Sequence, residues 1–272
     1  IAMLMVITLH CINHSKVVGN SNLNIVNLFG VRFLDCLAII ANNIFLIISG
    51  YYLIDKNFKL KKILNLWGKT IFYSLLIYFV CLIFNQKVNI LYSFTPILSG
   101  QYWFITSYIV LYFLAPIINK LINNITKEQH KYLIIVLLVV YGFIRILFNF
   151  STIFHGSIPI VILLYIIGAY IRKYVKIDKS NKYFIKYIFT TIIITCLYII
   201  LKALSNIFET NEIIYAILYR IINMFRDFSN ILIVLSSVFL FLKFKTINIK
   251  SDALIKLTRN HITFHIINLC DS

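Results

Sequence analysis

The chain has 272 residues, of which 61% are hydrophobic, and its net charge is +17 at pH 7. Soluble globular domains have an apolar share of roughly 45–50%, so the composition excludes a water-soluble fold. Apolar runs such as YLIIVLLVVYGFI do not alternate between polar and apolar residues, as the strands of a transmembrane barrel do. The sequence therefore predicts an all-α protein, a polytopic helical membrane bundle.

The chain opens on an apolar stretch, IAMLMVITLHCI, with one imidazole, His10, near its end. This stretch lacks the charged start and the small-residue cleavage site of a signal peptide. We expect it to be the outer part of a first transmembrane helix that is incomplete at its N-terminus. At the other end, residues 257–272 begin like a membrane segment but are atypical of one.

Seven apolar segments lie between these ends, each long enough for a hydrocarbon core of about 30 Å, which takes about 20 helical residues. They are residues 33–54, 63–84, 103–122, 132–150, 158–175, 183–201 and 228–244. Together with the two ends they predict about eight to nine transmembrane helices, in a single domain that spans residues 1–272.

Lys and Arg concentrate in every second connection between these segments. The basic connections lie near residues 55–69, 120–131, 172–186 and 243–256, and the others are close to neutral. Positive charge marks cytoplasmic loops, so we expect loop 55–62 to be cytoplasmic in a multi-pass protein of the cell membrane. The basic loops are topology signals and contacts for anionic lipid, or they also receive a polyanionic cosubstrate. This alternation argues against nucleic acid as a partner.

Polar side chains inside apolar segments are candidates for function, because the bilayer disfavours them. Imidazole titrates near pH 6.5 and can act as a base, so His10 is a candidate base; the alternative is a structural histidine at the interface. Asn42, Asn43 and Ser49 either line a passage or hydrogen bond between helices.

Two glycines in apolar segments, Gly50 and Gly168, are expected to permit close helix packing rather than to contact a ligand. No Asp or Glu is expected in the middle of a segment: the nearest, Asp35 and Asp55, stand at segment ends, and Asp35 is counted with Arg32 in a nearly neutral outer connection. A carboxylate proton relay is therefore not expected. No cluster of His, Asp and Glu has metal-ligand spacing, so we expect no metal.

Two stretches near the start of the chain resemble motifs of the membrane acyltransferase-3 family. AMLMVITLHCI is similar to the family's first helix, which ends in the pattern V-x-x-x-H, here Val6 and His10. NNIFLIISGYYLI is similar to its second helix, which closes on Ser-Gly-Tyr, here Ser49, Gly50 and Tyr51.

Two later stretches extend the resemblance, which covers residues 1 to about 245. YWFITSYIVLYFLAPIIN resembles the family's Trp-Phe…Leu-Tyr…Pro helix, here with Trp103, Tyr112 and Pro116, and YIIGAYIRKY fits a later Gly-Tyr helix loosely. The order and spacing of the motifs carry the resemblance. The family's basic Arg-x-x-Arg motif is replaced by lysines.

The resemblance implies an O-acyltransferase that moves an acyl group, often acetyl, from acyl-CoA to a hydroxyl of a bacterial surface polysaccharide or related envelope acceptor. It implies ten helices, a lipid bilayer and a glycan or lipid-linked glycan as partners, acyl-CoA as cosubstrate, and no bound cofactor. His10 would be the catalytic base. The acyl-CoA phosphate candidates are Lys59, Lys61 and Lys62, and the substrate-channel candidates are Asn42, Asn43, Ser49, Trp103, Tyr108 and Tyr112.

Two other functions remain open at this point. A carrier or flippase for a lipid-linked sugar would also line a cavity with aromatic and amide side chains. A truncated family member could be a non-catalytic membrane protein.

Overall fold

The computed structural model describes residues 2–15, 17, 24–85, 89–97, 102–141, 158–176 and 181–247. Within these ranges the chain forms helices and no strands, which confirms the all-α bundle. The helices are α1 (Ala2–His14), α2 (Ile25–Ala38), α3 (Ala41–Leu53), α4 (Leu60–Ile83), α5 (Ile90–Phe94), α6 (Trp103–Asn123), α7 (Lys127–Val139), α8 (Ile158–Tyr174), α9 (Lys182–Ile207), α10 (Glu212–Met224) and α11 (Ile231–Lys245).

Four helical stretches in the described part of the chain are long and apolar enough to cross a bilayer. They are Ile25–Leu53, Leu60–Ile83, Trp103–Asn123 and Lys182–Ile207. Two more predicted segments appear as α8 and α11, with 17 and 15 residues. Of predicted segment 132–150, residues 142–150 lie outside the described ranges, as do residues 257–272.

The predicted segment 33–54 begins earlier than the sequence indicated. Helix α2 starts after Asn24, whose side-chain oxygen accepts a hydrogen bond of 2.8 Å from the backbone N–H of Asn27. A turn at residues 39 and 40 then separates α2 from α3. The span therefore contains Arg32 and Asp35, which the charge pattern had assigned to an outer connection.

The closest helix crossing in the bundle joins α3 and α8, and it depends on two glycines. A Cβ atom added to Gly50 would lie 1.9 Å from the carbonyl oxygen of Tyr165, and one added to Gly168 would lie 2.2 Å from that of Ile47. No side chain fits such distances. The expectation that these glycines permit close packing is confirmed.

The remaining helices pack around this crossing. Helix α6 is tied to it through Asn119, whose amide donates to the carbonyl of Leu53 at 2.9 Å and accepts from the hydroxyl of Tyr165 at 2.8 Å. On the opposite side, a second apolar cluster joins α2, α3, α9 and α11; it includes Ile40, Ile44 and Ile194. Much of the surface of α4 is exposed and apolar, as contact with lipid requires.

The described parts of the four basic connections lie at one end of the bundle, which we call the basic end. Their contacts are Lys245 Nζ to Tyr52 Oη at 3.1 Å, Arg172 Nε to Asp55 Oδ2 at 3.6 Å, and Lys173 Nζ to Ile122 O at 3.0 Å. At the other end, the neutral end, Arg226 donates to Asn13 at 3.3 Å. The charge alternation in the sequence is thus matched by a spatial separation.

Alanine at Gly50 or Gly168 should force α3 and α8 apart, because the added methyl group would overlap a backbone carbonyl. We expect each variant to lose more than about 2 kcal/mol of stability, the cost of overpacking a core, and to show a lower melting temperature in detergent. Alanine at Gly30 or Gly68 is the matched control, since nothing lies within 4 Å of a Cβ atom there. Equal melting temperatures for Gly50→Ala and Gly68→Ala would contradict this account of the crossing.

Candidate functional site

His10 lies near the neutral end of α1 with its side chain exposed. Its ring stacks on that of His14, with centroids 5.9 Å apart and planes inclined by 19°. The face of α1 that packs on the bundle carries Met5, Leu9 and Ile12 instead. Among the described residues, His10 therefore has a histidine neighbour but no hydrogen bond or ring contact with the other predicted site residues.

Asn43 and Trp103 are brought together at the neutral half of the bundle by Phe228. The Asn43 amide donates to the backbone carbonyl of Phe228 at 2.9 Å and to the Ser237 hydroxyl at 3.2 Å. The Trp103 ring stacks on the Phe228 ring with centroids 5.4 Å apart. We call these four residues the Asn43 cluster.

Several polar atoms in and beside the Asn43 cluster are buried without a hydrogen-bond partner in the described part of the chain: Asn43 Oδ1, Ser229 Oγ and Ser236 Oγ. Leaving a buried polar atom unpaired costs about 1–3 kcal/mol. Water or a polar group of a substrate would satisfy these atoms.

The other two substrate-channel candidates on α3, Asn42 and Ser49, are less available to bind a substrate. The Ser49 hydroxyl donates to the carbonyl of Phe45 in its own helix at 2.8 Å, so its proton is already used. Asn42 is half-buried, next in sequence to Asn43 and therefore about 100° around the helix from it. Neither residue joins the Asn43 cluster through a hydrogen bond in the described structure.

Tyr108 and Tyr112 lie closer to the basic end, beside two recesses. One, with a cavity volume of about 10 Å³, lies between the start of the α3–α4 connection and α6; its lining is Leu53, Lys56, Asn57, Phe58, Tyr112, Ala115, Pro116 and Asn119. The other, also of about 10 Å³, is lined by Lys62, Ile63, Leu66, Tyr108, Ile109 and Tyr112. Each has room for about one water molecule. Tyr112 is shared by both recesses.

The three predicted phosphate-binding lysines stand at the start of α4. Lys59 precedes the helix, and its backbone N–H donates to the Tyr112 hydroxyl at 3.4 Å, a long hydrogen bond. Lys61 is exposed, and Lys62 lines the second recess. Helix α6 therefore connects the two groups of candidates, because Trp103 and Tyr112 are nine residues apart, or about 14 Å along the axis.

The prediction that Arg32 and Asp35 lie in an outer connection is wrong. Both lie inside the span Ile25–Leu53 and are buried, with exposed fractions of 0% and 2%. They form an ion pair one helical turn apart, and the guanidinium lies 3.7 Å from the centroid of the Tyr198 ring. Burial is possible because the opposite charges neutralise each other. The spacing i, i+3, which places two side chains on one helix face, was the signal in the sequence.

His130 is a second buried group that the sequence did not distinguish. It lies in the first turn of α7, fully buried, with Nε2 3.1 Å from the carbonyl oxygen of Ile166 and its ring against those of Tyr170 and Tyr174. A carbonyl only accepts, so Nε2 carries the proton of the neutral ring. Burial lowers the pKa of His130. Its role is to join α7 to α8.

In the described ranges, no group of three His, Cys, Asp or Glu side chains could hold a metal ion.

Comparison with known families defines the class of the protein. A family model described as an acyltransferase domain matches residues 1–261. The chain therefore belongs to the acyltransferase-3 family of membrane proteins, as its motifs indicated. No curated protein and no solved structure matches it.

Replacing Asp35 by alanine should destabilise the bundle strongly, because it leaves the Arg32 charge buried without a partner. We expect a loss of about 3–5 kcal/mol, whereas the double variant Arg32→Met, Asp35→Leu should recover most of it. Asp55→Ala is the control, since its pair with Arg172 is exposed and contributes about 1 kcal/mol or less. Thermal unfolding in detergent measures all three, and an equal loss in the single and double variants would refute the pairing.

Acid should destabilise the protein through His130. Because the pKa of this group is lowered in the folded state, the unfolded chain binds the proton more readily, and stability falls as the pH drops below about 6.5, the ordinary value. The variant His130→Gln should remove this contribution. Its melting temperature should fall less than that of the wild type between pH 7.5 and pH 5; parallel curves would contradict the assignment.

Proposed function

We propose that the protein is an integral-membrane O-acyltransferase that moves an acyl group, most simply acetyl, from acyl-CoA to a hydroxyl of a surface polysaccharide or related envelope acceptor. One observation carries the proposal beyond the family. Helix α6 presents Trp103 beside Asn43 at the neutral end and Tyr112 beside the lysine-bearing connection at the basic end. Helix α6 thus links a region suited to a glycan with a region suited to a polyanion.

The two ends suit substrates from opposite sides of a membrane. Basic loops are retained in the cytoplasm, which is the compartment that supplies acyl-CoA, so the basic end is assigned to the cytoplasm. The neutral end then faces outward, where envelope glycans lie. We assign the entry of the acyl donor to the region of Tyr108 and Tyr112, where two small recesses lie on the donor side.

The reaction needs little from the protein beyond positioning and proton transfer. An acceptor hydroxyl attacks the thioester carbonyl, the new C–O bond replaces the C–S bond, and the hydroxyl proton passes through a base to the departing thiolate. The protein must therefore supply a base, donors for the carbonyl oxygen and an aligned acceptor. We assign the base to His10, and the unused polar atoms around Asn43 to binding of polar substrate groups.

The exposure of His10 makes the test of this assignment direct. His10→Ala should abolish transfer of label from radioactive acetyl-CoA to envelope polysaccharide in membranes, while the amount of folded protein stays unchanged because the exposed ring stacks on His14 and is not part of the packed core. His14→Ala, one turn further along the same exposed face, is the matched control and should retain transfer.

Retained acylation in His10→Ala would remove this imidazole from the mechanism. An absence of labelled product with the wild-type protein, under conditions in which the acceptor is present, would instead favour a carrier or a non-catalytic member of the family.

A further inference from the structure

Two cations from different helices converge on one aromatic ring at the basic end. The Arg172 guanidinium carbon, at the end of α8, lies 5.2 Å from the centroid of the Tyr51 ring. Lys245 Nζ, at the end of α11, lies 4.6 Å from the same centroid. The two positive charges are therefore within about 10 Å of each other. We call Tyr51, Tyr52, Arg172 and Lys245 the Tyr51 cluster.

The floor of the Tyr51 cluster is rigid. Tyr51 follows Gly50, so the α3–α8 crossing determines its position, and its side chain is buried. The Tyr52 and Phe241 rings meet it edge to face, with centroids 5.1 and 5.5 Å away. The cations above it are exposed. The buried Tyr51 ring therefore holds two solvent-accessible cations on a rigid surface, and this surface is preformed for an anion.

The positive charge of the cluster is only partly compensated. Asp55 lies 3.6 Å from Arg172, and both side chains are about half exposed or more. In the described part of the chain no carboxylate lies within ion-pair distance of Lys245, which donates to the Tyr52 hydroxyl at 3.1 Å. The neighbouring Lys173 is occupied with the carbonyl of Ile122. The cluster therefore keeps a net positive charge, because Asp55 compensates only one of the two cations. Arg172 and Lys245 repel each other.

We propose that the Tyr51 cluster binds a phosphate ester. A guanidinium group offers planar paired donors that match phosphate oxygens, and an ammonium group adds a mobile point charge. The dianion of a phosphate would relieve the repulsion between Arg172 and Lys245. On the basic end this chemistry comes from two sources, the nucleotide part of the acyl donor or the head group of an anionic lipid.

We assign the phosphate to the nucleotide part of the acyl donor, an identification that rests on the proposed function. The phosphate-binding residues then differ from the lysines that the sequence indicated. Lys59, Lys61 and Lys62 follow one another at the start of α4, whereas Arg172 and Lys245 are more than 70 positions apart in the sequence and meet only in the folded chain.

Binding of a soluble probe tests the proposal directly. The full chain in nanodiscs of phosphatidylcholine is titrated with adenosine 3′,5′-bisphosphate by calorimetry, as wild type and as Arg172→Gln, Lys245→Gln. Losing two charge-assisted contacts should weaken binding at least about tenfold. Lys131→Gln removes an exposed positive charge at the same end of the bundle and should change binding less than about twofold. The melting temperature of each variant confirms folding.

Repeating the titration with nanodiscs that contain phosphatidylglycerol separates the two sources. If the probe binds equally well in both lipids, the nucleotide source is supported. If the double variant binds the probe like the wild type, or if the probe fails to bind and phosphatidylglycerol gives no stabilisation that depends on Arg172 and Lys245, the proposal is overturned. Thermal stabilisation by phosphatidylglycerol that depends on Arg172 and Lys245, with no probe binding, would overturn the nucleotide assignment and leave a lipid site.

The same variants, assayed for acyl transfer in membranes that contain the acceptor and at limiting acyl-CoA, separate this proposal from the transferase activity. Probe binding without acyl transfer would contradict the proposed function and support the phosphate site. Acyl transfer that is unchanged in the double variant would refute the site and leave the proposed function intact.

Discussion

The close approach of α3 and α8 is the constraint on which the other arrangements depend. Backbone carbonyls of each helix occupy the space where Gly50 and Gly168 lack a side chain. Helices in a bilayer gain little from the hydrophobic effect when they associate, so close backbone packing of this kind is what holds them. The crossing orients the end of α3, which places Tyr51 beneath Arg172 and Lys245, and it supplies the Leu53 and Tyr165 groups to which Asn119 of α6 is hydrogen bonded.

Because α6 is held in this way, its two ends acquire different chemistry. Trp103 meets Phe228 and, through it, Asn43 in the neutral half, where buried polar atoms remain unpaired in the described structure. Tyr112 lies about 14 Å further along, between two recesses and beside the lysine-bearing connection. The two ends of α6 therefore contact different kinds of side chain.

His10 and the Asn43 cluster are two separate features of the neutral half in the described structure. The imidazole is exposed on α1 beside His14, while the amide is buried between α3 and α11. The Arg32–Asp35 pair is a third feature, buried in α2 and covered by Tyr198.

Periodicity and charge alone predicted the helical bundle, most of the long spans and the gathering of basic loops at one end, because hydrophobic length and loop charge are local properties of the chain. The prediction that Gly50 and Gly168 permit close helix packing was also correct, since small residues are favoured at helix crossings in membranes.

Which side chains from distant parts of the sequence contact each other was decided only by the tertiary structure. Arg32 and Asp35 looked like loop charges until α2 was seen to continue through them, and Arg172 and Lys245 are far apart in sequence. A charge is tolerated in a bundle, or made available at its end, according to the side chains that other helices place beside it, and the linear pattern does not contain that information.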